Sequence, residues 1–260
     1  MTTVSPEAAR RWMDRWDNQQ EGYVPDREDR FTTIIDAVEL AAGRPDPLVV
    51  DLGCGPGSLA ARLLDRLPGA TVVAVDTDPL LLGLGAAAYD GVAGLRFTEL
   101  DLRAPGWAAR LGLDRPADAA VSTTALHWLA PEELSAVYAE LATVLRPGGV
   151  VLNGDHLSTD DTSPVRGALE RAVYERRTAR RFGAGRPEDW ATWWTAFAAD
   201  PEVSGLVSAR SVDSDASGHH GSPSGLLSTH EAALRAAGFA EVGPIWQHGN
   251  DRVLAGVRPE

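Results

Sequence analysis

The sequence predicts a doubly wound α/β fold: a mostly parallel sheet covered by helices on both faces. Three observations predict it. From Leu48 onward, short apolar runs alternate with segments of helical periodicity. The first run, Leu48 to Asp51, ends in an acid and breaks into a turn containing Gly53, Gly55 and Gly57. Later runs also carry an acid or hydroxyl at or just beyond their carboxyl ends. Strands that alternate with helices pair in parallel through right-handed crossovers. Ligands of such sheets sit at the carboxyl ends of the strands, so Asp51, Asp76, Asp101, Thr123 and Asp155 should converge on one rim.

The elements follow in order. Ser5 to Gln20 has a cap residue, Pro6 at the first helical position and Ala9, Trp12, Met13 and Trp16 at helical spacing, which predicts an amphipathic helix. Asp26 to Ala42 should form a second, with Tyr23 in the loop between them. The core then reads as strand 48–51, helix 58–67, strand 71–75, helix 79–89, strands 94–98 and 118–122, helix 131–145 and strand 149–154. After Asp155 the alternation stops until a helix over 226–237, a gap far longer than a simple connection, so the insertion should carry structure. Within it, Pro164 to Phe182 reads as a helix bearing Arg166, Arg171, Arg176, Arg177, Arg180 and Arg181. Pro187 to Ala199 places Trp190, Trp193, Trp194 and Phe197 at i, i+3, i+4 and i+7, a face that should pack onto the sheet domain or wall a planar ligand. Val203 to Gly225 is rich in Ser, Gly and Asp.

The glycine turn is the predicted cofactor site. Glycines leave no Cβ between a ligand and the backbone, so an adenosine-type ligand can lie against the main chain. The acid decides between ligands: a pyrophosphate wants donors and positive potential, whereas Asp51 offers a carboxylate that would welcome a cation. S-adenosyl-L-methionine carries an ammonium and a sulfonium.

Residues 49 to 57, Val-Val-Asp-Leu-Gly-Cys-Gly-Pro-Gly, resemble motif I of the class I S-adenosylmethionine-dependent methyltransferases. Val72–Asp76 is similar to that family's second strand with its ribose-binding acid, and Thr98–Leu102 to the segment whose acid faces the adenine. Ala119–Leu129 resembles strand four and its turn, and Leu145–Val151 the entry to strand five. His230–Arg258 resembles the closing helix and antiparallel strand pair. The resemblance implies a Rossmann-like, seven-stranded sheet with an antiparallel last strand, preceded by N-terminal helices and carrying a helical cap inserted after strand five. It divides the chain into N-terminal helices over the cofactor (1–44), a cofactor-binding core (45–157), a cap (158–225) and a closing helix with strands (226–260). It implies a small-molecule methyltransferase similar to the trans-aconitate methyltransferase-like enzymes. The cofactor set carried over is Asp51, Gly53, Cys54, Gly55, Gly57, Asp76, Thr77, Asp101, Leu102 and Thr123, with Tyr23 as roof or ordinary half-buried tyrosine.

Composition narrows the partner. The 260 residues carry a net charge of −13, which argues against a nucleic-acid backbone and for a small-molecule acceptor. All 24 basic side chains are arginine, so the chain has no lysine for Schiff-base chemistry. The single cysteine, Cys54, allows no internal disulfide and suits a reducing compartment; with no apolar run of about 18 residues and no basic, apolar start, the reading is cytoplasmic, without a membrane partner.

Four histidines are candidate bases. His127 follows strand four beside Trp128, facing a pocket or tucked beneath the cap. His156 follows Asp155, but neighbours on a strand point to opposite faces, so these two should not form a dyad. His219 and His220 lie in a glycine-serine loop that closes over the site or stays solvated. No metal site is predicted: His156, His230 and His248 lack ligand spacing. The arginine helix is a solvated face or a grip for an anionic acceptor. Two competing readings remain, a non-catalytic cofactor-binding scaffold or family member doing non-methyl chemistry, and a nicotinamide-dependent reductase. The second is disfavoured because Ser58 stands where the third glycine of G-x-G-x-x-G belongs.

Overall fold

The structure, a computed structural model, describes residues 4–159, 162–183, 185–207 and 224–260. Seven strands form one sheet in the order β3-β2-β1-β4-β5-β7-β6. They are β1 (Leu48–Leu52), β2 (Thr71–Asp76), β3 (Leu95–Glu99), β4 (Ala117–Thr123), β5 (Leu145–His156), β6 (Glu241–His248) and β7 (Asp251–Val257). β1 to β5 run parallel, and β7 pairs antiparallel with both β5 and β6. The Rossmann-like sheet with an antiparallel last strand is therefore as the sequence predicts. Strand order reverses between β1 and β4, which creates the crevice where doubly wound sheets bind ligands.

Alternation along β1 shows how the layers are built. Leu48, Val50 and Leu52 face one core with Leu134, Val137, Tyr138 and Leu141 of α5 (Pro131–Val144) and Leu234 of α9 (Leu227–Ala236). Val49 faces the other, with Phe31, Ile34 and Val38 of α2 (Arg27–Ala42) and Leu59 and Leu63 of α3 (Ser58–Arg66). Helix α2 thus covers the sheet face rather than lying only over the cofactor crevice. Its Arg30 is fully buried: Nε donates to Asp251 Oδ1 at 2.9 Å, and Nη1 to Thr123 Oγ1 and the Gly154 carbonyl, both at 3.1 Å. One guanidinium ties β4, β5 and β7 together.

α1 (Pro6–Glu21) is capped by Ser5, whose Oγ accepts from the Ala8 N–H at 3.1 Å. It packs on α4 (Pro79–Ala88) and on the cap helix α7 (Trp190–Ala199). α7 starts later than the sequence suggests because Asp189 is its cap, accepting from the Thr192 N–H at 2.7 Å. Its aromatic face divides. Trp193 and Phe197 stack at 4.8 Å and bury against Trp12 and α4, so this half of the face packs onto the sheet domain through one of its helices. Trp190 and Trp194 turn toward the crevice. The remaining helices are α6 (Pro164–Phe182) and α8 (Ser204–Val207), so the predicted loop from Val203 begins in helix.

His230 closes the fold near the crevice. It accepts from the Tyr138 hydroxyl at 2.7 Å through Nδ1 and donates from Nε2 to the Ser224 carbonyl at 2.7 Å. Burial holds it in the neutral form by pushing its pKa down. It therefore serves the fold. No helix among the described residues is long and apolar enough to cross a membrane.

Candidate functional site

A cavity of about 850 Å³ opens at the carboxyl ends of the strands. Its wall brings together most of the predicted site: Tyr23, Gly53, Cys54, Gly55, Asp76, Thr77, Asp101, Leu102, Thr123, His127 and His156. Asp51 and Gly57 do not line it, and His219 and His220 lie outside the described residues.

The turn after β1 is shaped by close approach. Gly53 has φ +64°, and a Cβ there would meet the Ala125 Cβ at 2.4 Å, so the β1 and β4 turns touch only because position 53 has no side chain. Gly53→Ala should cost about 2–3 kcal/mol from left-handed strain plus overpacking. Chemical denaturation checks this, and a loss under 1 kcal/mol would show the two turns are free to separate. Gly57 serves packing instead: it caps α3 at φ +88°, and a Cβ would strike the Phe97 ring at 2.8 Å.

Asp51 lies behind this turn, fully buried, and neither carboxylate oxygen has a hydrogen-bond partner. The Ala60 amide at the start of α3 favours the anion slightly but is not placed to bond it. Burial first, and the Asp76 charge second, push its pKa up to about 7. Asp76 accepts from three backbone N–H groups, Gly55 at 2.8 Å, Thr77 at 2.7 Å and Asp78 at 3.0 Å, and burial raises its pKa too. Among the described residues neither acid forms an ion pair. Asp101 differs, its carboxylate gripped by Arg103 at 2.9 Å and its pKa lowered mainly by that hydrogen bond.

The opposite wall carries the histidines. Thr124 takes φ +52°, rare for a β-branched residue, and donates to the Gly154 carbonyl at 2.9 Å. The chain reverses there and lays the Leu126–Leu129 turn across the rim. His127 Nδ1 lies 2.9 and 2.8 Å from the two oxygens of Asp155. Burial alone would raise Asp155, but His127, Arg30 and His156 outweigh it and hold its pKa at about 2. The sequence reading was right that Asp155 and His156 do not pair through their side chains; the dyad runs from Asp155 to His127 on the neighbouring strand's turn. His156 donates its backbone N–H to Asp155 at 2.8 Å and rests its ring edge on Tyr174. Burial, then the Arg30 charge, lowers its pKa to about 4, so it is neutral at pH 7.

Residues the sequence reading missed are Trp16, Gln20 and Arg27 on the wall and Arg30 beneath it. Arg27 pairs with Asp17 at 2.7 Å, and Asp17 accepts from Ser58 Oγ at 2.6 Å, so the start of α2 locks onto α1 and α3. No sequence spacing signals these long-range pairs. Tyr23 accepts from the Trp190 N–H at 2.9 Å, tying the loop to the cap at the cavity edge. The arginines of α6 do not line the cavity. Arg166 pairs with Glu170 at 3.0 Å, Arg177 with Asp26, and Arg181 with Glu21 at 3.5 Å. The grip on an anion expected of that helix is not where the ligand space is. Among the described residues no group of three His, Cys, Asp or Glu is placed to hold a metal ion.

Sheet order and cavity define a doubly wound domain whose switch-point crevice is acidic on its glycine side. Residues 49–149 match the family of methyltransferase domains. The chain is 34% identical over 139 residues to trans-aconitate 2-methyltransferase of Azoarcus sp. (strain BH72), covering 54% of this chain and 50% of that protein. It is 34% identical over 148 residues to the protein of the same name from Deinococcus radiodurans, covering 55% and 52%. The match thus spans about half the length of these relatives. In fold it is similar to magnesium protoporphyrin IX methyltransferase of Synechocystis PCC 6803, with TM-score 0.52 at 18% identity, covering 95% of this chain and 94% of that one. Over residues 49–149 the chain is thus similar to a methyltransferase domain.

Proposed function

We propose that this protein binds S-adenosyl-L-methionine and transfers its methyl group to a small molecule. The observation that carries this is the pair of uncompensated carboxylates, Asp51 and Asp76, around the Gly53–Gly55 turn. Two acids without a cation, Asp76 in the cavity wall and Asp51 buried behind it, are costly unless a ligand brings positive charge, and they repel a pyrophosphate. The group fits: glycines leave the backbone bare, Asp51 is orphaned, and Asp76 keeps acceptor capacity for a hydroxyl beyond its three N–H bonds. When bound, the cofactor would supply an electrophilic methyl carbon. Gly53, Cys54, Gly55, Asp76, Thr77, Asp101 and Leu102 would hold it, while α1, the Tyr23 loop and the α7 tryptophans Trp190 and Trp194 border the space and help exclude water.

The acceptor would lie near His127, Trp128 and His156. A net charge of −13 supports a small molecule over a nucleic acid, and the lone Cys54 supports a reducing, cytoplasmic setting. Relatives named for trans-aconitate make a carboxylic acid one candidate acceptor.

Calorimetry with S-adenosylhomocysteine tests the cofactor. Wild type should bind it, and Asp76→Ala should bind at least tenfold more weakly. In a thermal-shift comparison this ligand at a hundred times its Kd adds about 2.7 kcal/mol of stability. A response to nicotinamide dinucleotides instead would overturn the assignment.

A further inference from the structure

We propose that His127, oriented by Asp155, is the general base for methylation of a phenolic hydroxyl on a planar acceptor. This deepens the methyltransferase reading above and rests on it. Three observations carry it.

The first is the dyad. The Asp155 carboxylate is fully buried and ionised, so it can only accept, and at 2.8 Å from Nδ1 it fixes the proton on that nitrogen. In the neutral ring Nε2 then bears the lone pair, and His127 lines the cavity. A buried acid behind a histidine holds the ring's tautomer and angle and stabilises the imidazolium formed when the ring takes a proton. The neighbouring His156 is a poor base, because burial beside Arg30 disfavours its protonation.

The second is the inventory of cations. Among the described residues, the arginines of the cavity wall are Arg27 and Arg103, and both are already matched, to Asp17 at 2.7 Å and to Asp101 at 2.9 Å. An acceptor with several carboxylates would enter a wall whose fixed positive charge is spoken for, beside Asp51 and Asp76. A carboxylate, with a pKa of about 4, also has no proton to lose at neutral pH and no use for a base.

The third is the shape of the wall. Tyr23, Trp128, Trp190 and Trp194 line the same cavity as His127, and aromatic surface of this kind suits a flat ring. A hydroxyl on such a ring has a pKa of about 10, as tyrosine does, within reach of imidazole at hydrogen-bond distance, unlike an aliphatic alcohol. The step balances simply. The hydroxyl proton passes to His127 Nε2, the oxygen forms its bond to the methyl carbon, and sulfur keeps the electron pair of the bond it loses.

The test uses the full chain, His127→Gln and Asp155→Asn. Both variants should bind S-adenosylhomocysteine as wild type does; if wild type itself does not bind, the methyltransferase reading falls, not the dyad. In nitrogen-15 NMR of the imidazoles, His127 in the complex should carry its proton on Nδ1. Asp155→Asn should move it to Nε2, because the amide donates where the carboxylate accepted. A proton already on Nε2 in wild type overturns the proposal. With labelled cofactor, catechol and 2-naphthol should take the methyl group and trans-aconitate should not. His127→Gln should lower kcat by about 100-fold with KM within threefold, and Asp155→Asn should lower kcat likewise. Label on trans-aconitate alone, no label on either phenol, or a kcat loss under tenfold in His127→Gln overturns it.

Discussion

Arg30→Met is expected to cost about 3–5 kcal/mol of folding stability, the largest loss for a single side chain outside the apolar core. The guanidinium is fully buried and bonds Asp251, Thr123 and the Gly154 carbonyl, residues on three different strands. Methionine keeps much of the volume, so the loss reports the charge left behind rather than a void. Asp251 would then sit buried without its partner; burial already raises its pKa to about 6 even with Arg30 present. Asp251 would become protonated on folding, and stability would fall further as pH rises from about 4. The double variant Arg30→Met/Asp251→Asn should recover at least half of the loss, because an amide leaves no unpaired charge. Urea titration of the three variants decides the matter. A single-variant loss below 1 kcal/mol would mean that solvent reaches the pair.

Asp51→Asn should do the reverse, stabilising the ligand-free protein by about 2–4 kcal/mol at pH 8. An acid whose folded pKa lies near 7 against an ordinary value of 3.8 binds its proton more tightly folded than unfolded. Its contribution is therefore fully present below pH 4 and is lost as pH rises through about 7. Asparagine does not titrate, so the two melting curves should coincide at pH 4 and separate above it. If the proposed cofactor's positive charge is felt by Asp51 through the Gly53 turn, the same variant should bind S-adenosylmethionine more weakly and lose the pH dependence of that binding. A variant no more stable at pH 8 than wild type would show that the Asp51 carboxyl keeps its ordinary pKa in the fold. Stability surrendered at an acid behind the proposed cofactor site fits the usual exchange at functional sites.

The proposed cofactor side was more legible in the sequence than the proposed acceptor side, for a local reason. Gly53 and Gly55 sit in the turn after β1 and Asp76 at the end of β2, and hydrophobic period and glycine placement encode such strand ends directly. Gly57 was misjudged because its need for a bare Cα comes from Phe97 on β3, remote in sequence. Asp155 and His127 were each placed at the rim but not paired with one another, although β4 and β5 are neighbours in the sheet and their tips must meet there. The tryptophan face of α7 was read as a single surface, but α1 takes Trp193 and Phe197 and leaves Trp190 and Trp194 to the cavity.

By itself the chain's order of residues determined the sheet, its crossovers, the acid at each strand end and the glycine turn, because these follow from patterns of two, three and four residues. Only the tertiary structure decided which acids stay unpaired and which find cations. Asp101 meets Arg103, Asp155 meets His127 and Asp251 meets Arg30, while Asp51 meets nothing. The charge state of each depends on burial and on neighbours within a few ångströms, and apart from Arg103, two residues from Asp101, these neighbours come from distant parts of the chain.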